Sequence, residues 1–458
     1  MSSFSRFLNR RLILGTFIFY SIGLSATVAQ SRVGVPEAQL PQLDRLIDQA
    51  IEQSPRMLIR NANAAASEAD LLTAKAARLP SVGGSASWVQ SREDRGDFSV
   101  GAIGADKLYY NFSINQPLYQ WGNITRSIKS AEIRLLMDEG RTRQAYLMLA
   151  NEVRLNYLSL IRQRRNLESV RFNLKLANEK LTQDREKRAQ NIVSDADVFQ
   201  SELNQQRAEY MAILGEDSFI RFSEVLARLS GTEPLSESEV PLEYPAPQIR
   251  EDAPIIISLL AHFMRDEMPT NTDLELALQQ LEINKNDLHR EKTALRPSFS
   301  LIAGASLDEQ SYDLNVANKY EVQSLYAGVS MYWNIFNGFA NKGRVRSTLA
   351  RMRAAETEVE TKRAELITNA QSYGRQFKGL ALAIVITDRE LDSAKNGLVD
   401  MSERMKRGEA SQAQVDAAQG QLHSAYGRAL AERGNYWEKL GDLLSLIEAD
   451  PVLNRVRL

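Results

Sequence analysis

The sequence predicts a mainly α-helical protein with a small β part, built from a helix–strand–strand–long helix–helix unit that occurs twice. Three observations predict this fold: one residue pattern recurs 217 residues further along the chain, four segments alternate apolar and polar residues, and two long segments carry an apolar residue at every seventh position. Period-two alternation is typical of a strand with one apolar face. An apolar heptad is typical of long helices that pack side by side.

The internal repeat sets the predicted domain boundaries. Pro80 recurs as Pro297 and Ser194 as Ser411, and the displacement stays constant between them. A single displacement over such a length indicates a duplicated structural unit. We expect a first structural repeat at 30–232, a second at 257–448 and a C-terminal tail at 449–458. The stretch 233–256 is rich in proline, which removes backbone donors, so it is expected to be a connector and not a continued helix.

The N-terminus has the order of a secretory signal peptide. Three arginines within the first eleven residues precede an apolar run at 12–20, and small residues follow up to Ala29. Basic, apolar and small residues in this order are typical of a cleaved export signal, here 1–29. A membrane anchor is the alternative, but the apolar run is short for a span of about 20 residues. The mature chain is therefore expected to begin at Gln30 and to leave the cytoplasm.

Composition excludes several classes of function. The 458 residues include 56 Lys and Arg against 58 Asp and Glu, a balance unlike the basic surface of a nucleic-acid binder. The chain has no cysteine, which excludes thiol catalysis, disulfides and iron–sulfur clusters. Its three histidines, His262, His289 and His423, are too scattered to predict a metal site. Without a phosphate-binding loop or a nucleophile beside a histidine, neither an enzyme nor a cofactor is expected.

The four predicted strands are amphipathic. They lie at about 81–90, 108–118, 298–306 and 325–335, and polar loops at 91–106 and 307–323 join them in pairs. A length near ten residues suits a strand that crosses a membrane. Aromatic residues near the strand ends suit contact with the membrane interface, although ordinary core packing is an equal alternative. These aromatic residues are Trp88, Tyr109, Trp121, Tyr332 and Trp333.

The two predicted long helices, at about 123–190 and 340–407, are unusual for a globular protein. A helix of 68 residues extends about 100 Å. The first carries the heptad Val153, Leu160, Leu167, Leu174 and Leu181, and the second carries Ala370, Phe377, Ile384, Leu391 and Leu398. Each helix breaks at a matched place and turns back, which gives a first tip at 187–198 and a second tip at 404–416.

Membrane insertion of these strands would require several copies of the chain. The smallest common barrels have eight strands, and this chain supplies four. An open sheet edge in lipid leaves backbone groups unpaired, each at a cost of several kcal/mol. Either a dimer or a trimer would satisfy this count. An exported protein with membrane strands points to the outer membrane, with the helices extending into the periplasm.

The chain resembles the TolC family of outer-membrane channel proteins. The residues that carry the resemblance are the strand ends 118–122 (LYQWG) and 335–339 (IFNGF) and the tip 407–415 (RGEASQAQV), in addition to the duplicated layout. Two positions depart from the family pattern: Gln414 stands where Asp is common, and Asn191 stands where the tip usually has Gly. The resemblance implies a homotrimer with a twelve-stranded barrel in the outer-membrane lipid and a long α-helical periplasmic tunnel. It also implies two partners, a periplasmic adaptor and an inner-membrane pump or ABC transporter.

The predicted function is therefore a passive channel-tunnel of a tripartite export system, gated at its periplasmic tip. Drug efflux and type I protein secretion both remain open as its cargo. A periplasmic coiled-coil adaptor or scaffold protein is the alternative, because it would share the export signal and the helical hairpin. Adaptors, however, have one hairpin flanked by compact β domains, whereas this sequence has two hairpins and paired amphipathic strands.

We expect the two tips to converge at the periplasmic entrance. Carboxylates repeated by symmetry would form acidic rings that favour cations, although these residues could also serve only to stabilise helix N-termini. The predicted gate residues are Asp195, Asp197, Gln414, Asp416, Arg188 and Arg404. The predicted adaptor contacts are Asn191, Val193, Ser194, Gly408, Glu409 and Ser411.

Overall fold

The computed structural model describes residues 34–93, 103–265, 269–312 and 320–455. The predicted signal peptide and the central parts of both predicted surface loops lie outside the described residues. No helix in the described part of the chain is both long enough and apolar enough to cross a membrane.

The duplicated unit is present in the order of its helices and strands. The first repeat contains α1 (Pro41–Gln53), α2 (Pro55–Ala76), β1 (Ser81–Glu93), β2 (Ile103–Tyr119), α3 (Asn123–Ala189) and α4 (Asp195–Ser230). The second contains α5 (Ile249–Arg265), α6 (Thr272–Thr293), β3 (Ser298–Tyr312), β4 (Tyr320–Tyr332), α7 (Ala340–Lys406) and α8 (Gln412–Leu446). From α2 onward, every element begins 217 residues before its counterpart. The predicted mainly helical fold with a small antiparallel sheet is confirmed.

Helix α5 begins at Ile249, within the last eight residues of the stretch 233–256 that was expected to be a connector, and it includes Pro254. Proline removes only one backbone donor here, close to the helix N-terminus. The helix buries Ile256, Leu260 and Phe263 on one face. Burial of three large apolar side chains stabilises the helix by more than the lost hydrogen bond costs.

The four strands form one antiparallel sheet in the order β1-β2-β3-β4. Residues directly opposite each other share a face, and the faces match the predicted alternation. One row across the sheet is apolar and consists of Gly84, Phe112, Ala305 and Leu325. The adjacent row is polar and consists of Ser85, Asn111, Ser306 and Ser324. The sheet therefore has one continuous apolar face and one polar face.

The strand ends differ from the predicted ones. All four strands extend into the predicted loops: β1 reaches Glu93, β2 begins at Ile103, β3 reaches Tyr312, and β4 begins at Tyr320. In these segments the backbone pairing continues although the side chains no longer alternate between apolar and polar. The side-chain pattern alone therefore does not predict these strand ends. Conversely, β4 ends at Tyr332 and not at 335, because its neighbour β3 begins at Ser298, directly opposite Tyr332.

The described residues form two compact units, and each combines segments of both repeats. One unit comprises 34–57, 145–265, 269–270 and 366–455, and the other comprises 58–93, 103–144, 271–312 and 320–365. The second unit contains the sheet and a core cluster in which Ile133 and Met137 of α3 pack against Ile283 of α6. The first unit contains the parts of the long helices α3 and α7 that follow 145 and 366, together with both tips.

In the first unit, the heptad residues of the long helices lie at the packed interfaces between helices, which we call seams. In α3, Leu174 is half-buried and the others, Val153, Leu160, Leu167 and Leu181, are buried. In α7, Leu398 is half-buried and Ala370, Phe377, Ile384 and Leu391 are buried. Helix α4 comes close to α3 at Gly215, where an added Cβ would lie 2.9 Å from Val170. Helix α8 packs Ala425 and Ala429 against Leu391 of α7. The predicted helix register is confirmed.

Candidate functional site

The two tips have the same backbone. Each long helix ends in a Schellman motif, in which a residue with a left-handed conformation reverses the chain. Asn191 has a φ of 57° and Gly408 a φ of 78°. The next residue, Ile192 or Glu409, donates its N–H to the carbonyl five positions earlier at 2.9 Å in both tips. Asparagine tolerates this conformation better than most residues, which explains why it can stand where the family usually has glycine.

Each returning helix begins with a serine that pairs with the residue three positions later. At the first tip, Ser194 Oγ accepts from the Asp197 N–H at 3.2 Å, and Asp197 accepts from the Ser194 N–H at 2.9 Å. At the second tip, Gln414 Oε1 accepts from the Ser411 N–H at 2.8 Å. The hydrogen bond that the Ser194 hydroxyl donates to the Asp197 carboxylate at 2.7 Å, followed by that from the Ser194 N–H, holds the pKa of the Asp197 carboxyl below its usual range. Asp197 therefore has a capping role in addition to its predicted place at the gate.

An ion pair links the two helices of the first tip. Arg188 near the end of α3 donates from Nε to one oxygen of Asp195 at 2.5 Å and from Nη2 to the other at 3.0 Å. The hydrogen bond from Arg188 holds the pKa of the Asp195 carboxyl below its usual range. The equivalent positions of the second tip are Met405 and Gln412, which cannot form an ion pair. We call the Arg188–Asp195 pair the first-tip clip.

Four charged residues of the second tip, Arg404, Arg407, Glu409 and Asp416, have local partners. Arg404 pairs with Asp400 at 3.0 Å on its own helix, one turn earlier. Asp416 accepts from the Gln412 amide at 2.7 Å, and Glu409 pairs with Arg407 at 3.2 Å. None of these contacts joins α7 to α8.

The predicted adaptor contacts lie at the surface of the chain. Asn191, Ser194, Gly408, Glu409 and Ser411 are exposed, and Val193 is half-buried. Within the described ranges, no group of three or more His, Asp or Glu side chains is placed to hold a metal ion. The tips thus offer charged and amide groups for recognition.

A buried polar link beside the first tip was not predicted. Asp184 of α3 is almost fully buried, accepts from Ser201 of α4 at 2.6 Å and pairs with Lys180 at 2.8 Å. The hydrogen bond from Lys180, followed by that from Ser201, lowers the pKa of the Asp184 carboxyl. Asp184 lies three residues after the heptad residue Leu181, on the seam of α3. The charged residue Asp184 at a position on the apolar helix face is the sequence feature from which this link could have been predicted.

The five predicted interface aromatics occupy different places. Trp88 is exposed on the apolar face, opposite Leu108. Tyr109 and Tyr332 lie on the polar face, since they are opposite Ser87 and Ser298. Two indoles anchor the chain beyond the strands: Trp121 Nε1 donates to the Pro297 carbonyl at 2.7 Å, and Trp333 Nε1 donates to the Leu295 carbonyl at 2.9 Å.

An amphipathic sheet that has four strands among the described residues, together with two helices of 67 residues, is the architecture of an outer-membrane channel protein. The family model described as outer membrane efflux protein matches residues 46–232 and 268–447, and the chain belongs to this family. The family consists of outer-membrane channels of tripartite export systems and is not known for enzymatic activity. The predicted function and location are thereby confirmed, and the periplasmic adaptor alternative is not supported.

Several solved structures have the same fold. The outer membrane protein VceC of Vibrio cholerae is 19% identical with a TM-score of 0.62, over 90% of this chain and 97% of that one. The CmeC channel of Campylobacter jejuni is 16% identical with a TM-score of 0.66, over 89% and 85%. The MtrE channel of Neisseria gonorrhoeae in its open state is 18% identical with a TM-score of 0.60, over 90% of each chain. No curated protein sequence matches the chain.

Proposed function

We propose that the protein works as a homotrimer that passes small molecules or proteins to the outside, and that its two tips form the periplasmic gate. A periplasmic adaptor would contact the exposed tip residues, and an inner-membrane pump or ABC transporter would supply the cargo. The observation that carries this proposal is the clip at the first tip, which joins α3 to α4 beside the turn between them. A homotrimer presents this clip three times around one entrance.

The clip defines how charge is balanced at the gate. Arg188 neutralises Asp195, and Asp197 is engaged by Ser194. The Asp195 carboxylate is exposed, so loss of Arg188 would leave a negative ring facing water. Such a ring attracts cations and disfavours anions. We assign the clip to the closed state of the gate.

At the membrane, the apolar face of the sheet would contact outer-membrane lipid. Trp88 is exposed on that face, and Trp121 and Trp333 lie just beyond the strands. Indole rings with one polar atom favour the lipid–water interface. We therefore assign lipid contact to these three tryptophans, whereas Tyr109 and Tyr332 belong to the polar face.

Planar-bilayer conductance of the purified trimer tests the gate. Arg188→Ala should raise both the conductance and the preference for cations. The matched control is Arg185→Ala, which breaks another exposed ion pair of the same hairpin, to Glu202 at 2.8 Å, about one turn from the clip. The control should leave both quantities unchanged. Equal effects of the two substitutions, or no effect of Arg188→Ala, would contradict a gate at the first tip.

A further inference from the structure

A groove opens between α2 and α3 beside the ends of β1 and β2. Its volume is about 570 Å³. One wall consists of the last turn of α2 and the residues that follow it, and the other wall consists of the first turns of α3. The lining residues that matter here are Lys75, Arg78, Leu79, Thr125, Lys129 and Glu132.

The sheet end of this groove adjoins the apolar face of the sheet. Gln116 belongs to that face, since it is opposite Leu301, which is itself opposite Val329. The side-chain amide of Gln116 donates from Nε2 to the Arg78 carbonyl at 2.8 Å. Arg78 in turn donates from Nη2 to the Thr125 hydroxyl of α3 at 3.3 Å. If the apolar face contacts lipid, as proposed above, the groove lies at the level of the lipid headgroups on the periplasmic side.

The sheet end of the groove is positively charged. Residues 71–80 include Lys75 and Arg78 and no acidic residue, and both side chains are exposed. A guanidinium has five N–H donors, so the hydrogen bond of Arg78 to α3 leaves donors for a ligand. Lys129 also borders the groove, but its ammonium pairs with Glu282 of α6 at 2.8 Å. Lys75 and Arg78 are therefore the two cations placed to bind a phosphate group.

The opposite end of the groove carries a negative charge. Glu132 lies seven residues after Thr125 on α3, which places it about 10 Å further along the helix axis, away from the strands. Its side chain is exposed. The charge along the groove thus changes from positive beside the sheet to negative further from it.

We infer that this groove binds the headgroup of phosphatidylethanolamine from the periplasmic leaflet, an inference that rests on the proposed contact of the apolar face with lipid. The phosphate contacts Lys75 and Arg78. The ammonium group, which lies beyond the phosphate in this headgroup, contacts Glu132. Leu79 is 64% exposed beside β1 and contacts the apolar part of the lipid. A purely anionic headgroup satisfies the two cations equally well but brings a negative charge toward Glu132.

The second repeat offers an internal comparison. The residue equivalent to Lys75 is Lys292, so positive charge recurs beside β3. The residue equivalent to Glu132 is Leu349, so the negative charge does not recur. Lys292 is exposed, as Lys75 is. Lys292 is therefore a matched control for a cation that lies near the lipid but lacks the carboxylate further along its groove.

Lipid binding by the purified, delipidated protein in detergent tests the assignment, with native mass spectrometry as the readout. The probes are dioleoyl phosphatidylethanolamine and dioleoyl phosphatidylglycerol. The wild type should prefer phosphatidylethanolamine and bind one molecule per chain. Lys75→Ala with Arg78→Ala should weaken this binding by at least about ten-fold, because both phosphate contacts are lost. The control Lys292→Ala should leave it unchanged.

The role of the carboxylate is tested separately. Glu132→Gln should remove the preference for phosphatidylethanolamine over phosphatidylglycerol, because the ammonium loses its partner and an anionic headgroup is no longer repelled. Equal binding of the two lipids by the wild type, or an unchanged preference in Glu132→Gln, would overturn the assignment. So would wild-type affinity in the variant that lacks both Lys75 and Arg78.

The outcomes separate this inference from the proposed function. Lys75 and Arg78 are exposed, so their replacement should leave the fold intact. If the double variant nevertheless fails to assemble, the lipid preference of Glu132→Gln decides. A wild-type trimer that conducts in planar bilayers but binds neither lipid would overturn the inference and leave the proposed function standing. A wild-type protein that forms neither a trimer nor a channel would instead contradict the proposed function.

Discussion

Asn191 adopts the left-handed backbone conformation at the first tip that Gly408 adopts at the second, 217 residues later. The asparagine side chain does more than tolerate this conformation, because its Oδ1 accepts a hydrogen bond from Arg188 at 3.2 Å. Arg188 thus donates both to Asn191 and to Asp195. Gly408 offers no side chain for such a bond, and the ion pair of Arg407 with Glu409 beside it does not join α7 to α8. The two tips share a fold and differ in how firmly side chains hold them.

Gly408→Ala should destabilise the second tip by about 1 kcal/mol, because a Cβ is unfavourable at positive φ. The matched control is Gly397→Ala in the interior of α7, where an added Cβ meets no atom within 4 Å. That change should stabilise the helix by up to about 1 kcal/mol, since alanine is the better helix former. The melting temperature of the purified protein should therefore fall for Gly408→Ala and rise for Gly397→Ala. Shifts of the same sign would mean that the tip does not hold Gly408 in this conformation.

Leu167→Ala should cost about 2–5 kcal/mol, because Leu167 is fully buried in the seam between α3 and α4. The neighbouring residue Asn166 is exposed, and Asn166→Ala should change stability by less than about 0.5 kcal/mol. The stability of both variants is measured as the fraction of trimer that remains assembled after heating, determined by gel electrophoresis. Equal loss in the two variants would mean that the heptad register of α3 is wrong.

The positions that could be predicted from the sequence are those that follow a local, periodic pattern of apolar residues. Leu160 and Ile384 are buried because a heptad puts them on one helix face, and Phe112 shares a face with Ala305 because strands alternate. Local pattern could not place the end of β1 at Glu93, since the strand continues there through backbone pairing alone.

Individual contacts between different helices were less accessible to prediction. The ion pair of Arg188 with Asp195 depends on how the chain turns between them, and both residues could be singled out without their contact being specified. The helix at Ile249 was missed because nearby prolines suggested a connector, whereas burial of Leu260 and Phe263 decided the outcome. At this helix, tertiary contacts outweighed a local preference.

His423 makes the stability of the first unit depend on pH. Its ring packs on Phe172 with centroids 5.1 Å apart. Burial, followed by repulsion from Arg165, lowers the pKa of His423, while Glu168 opposes the shift. A histidine with a lowered pKa in the folded state contributes its full stability above its unfolded pKa of about 6.5. That contribution is lost as the pH falls through this value toward the folded pKa.

His423→Phe should keep the ring contact and remove the titration. The melting temperature of the variant should therefore fall less than that of the wild type between about pH 7.5 and about pH 5.5, the range one unit on either side of the unfolded pKa. The control is His262→Phe, at an exposed position of α5, which should leave the pH profile of the wild type unchanged. A His423→Phe profile that parallels the wild type would show that other groups cause the acid sensitivity.

A buried ionic cluster fixes both ends of the described chain to α3. Arg154 donates to Glu37 through Nε at 2.9 Å and to Asp450 through Nη1 at 2.5 Å. The exposed fractions of the three side chains are only 3%, 1% and 0%. Burial alone would lower the pKa of Arg154, but Asp450 and Glu37 outweigh burial and raise it. The guanidinium therefore stays charged and compensates two carboxylates that water cannot reach.

Arg154→Met should cost about 3–5 kcal/mol, because it leaves two buried carboxylates without a cation. The matched control is Arg56→Met, which breaks the pair of Arg56 with Glu152 at 2.9 Å, where both side chains are largely exposed. That loss should be no more than about 1 kcal/mol. Addition of Glu37→Gln and Asp450→Asn to Arg154→Met should restore part of the stability, since the uncompensated charges are then gone. Thermal unfolding at neutral pH measures all three, and a triple variant no more stable than Arg154→Met would mean that lost packing, not unpaired charge, explains the damage.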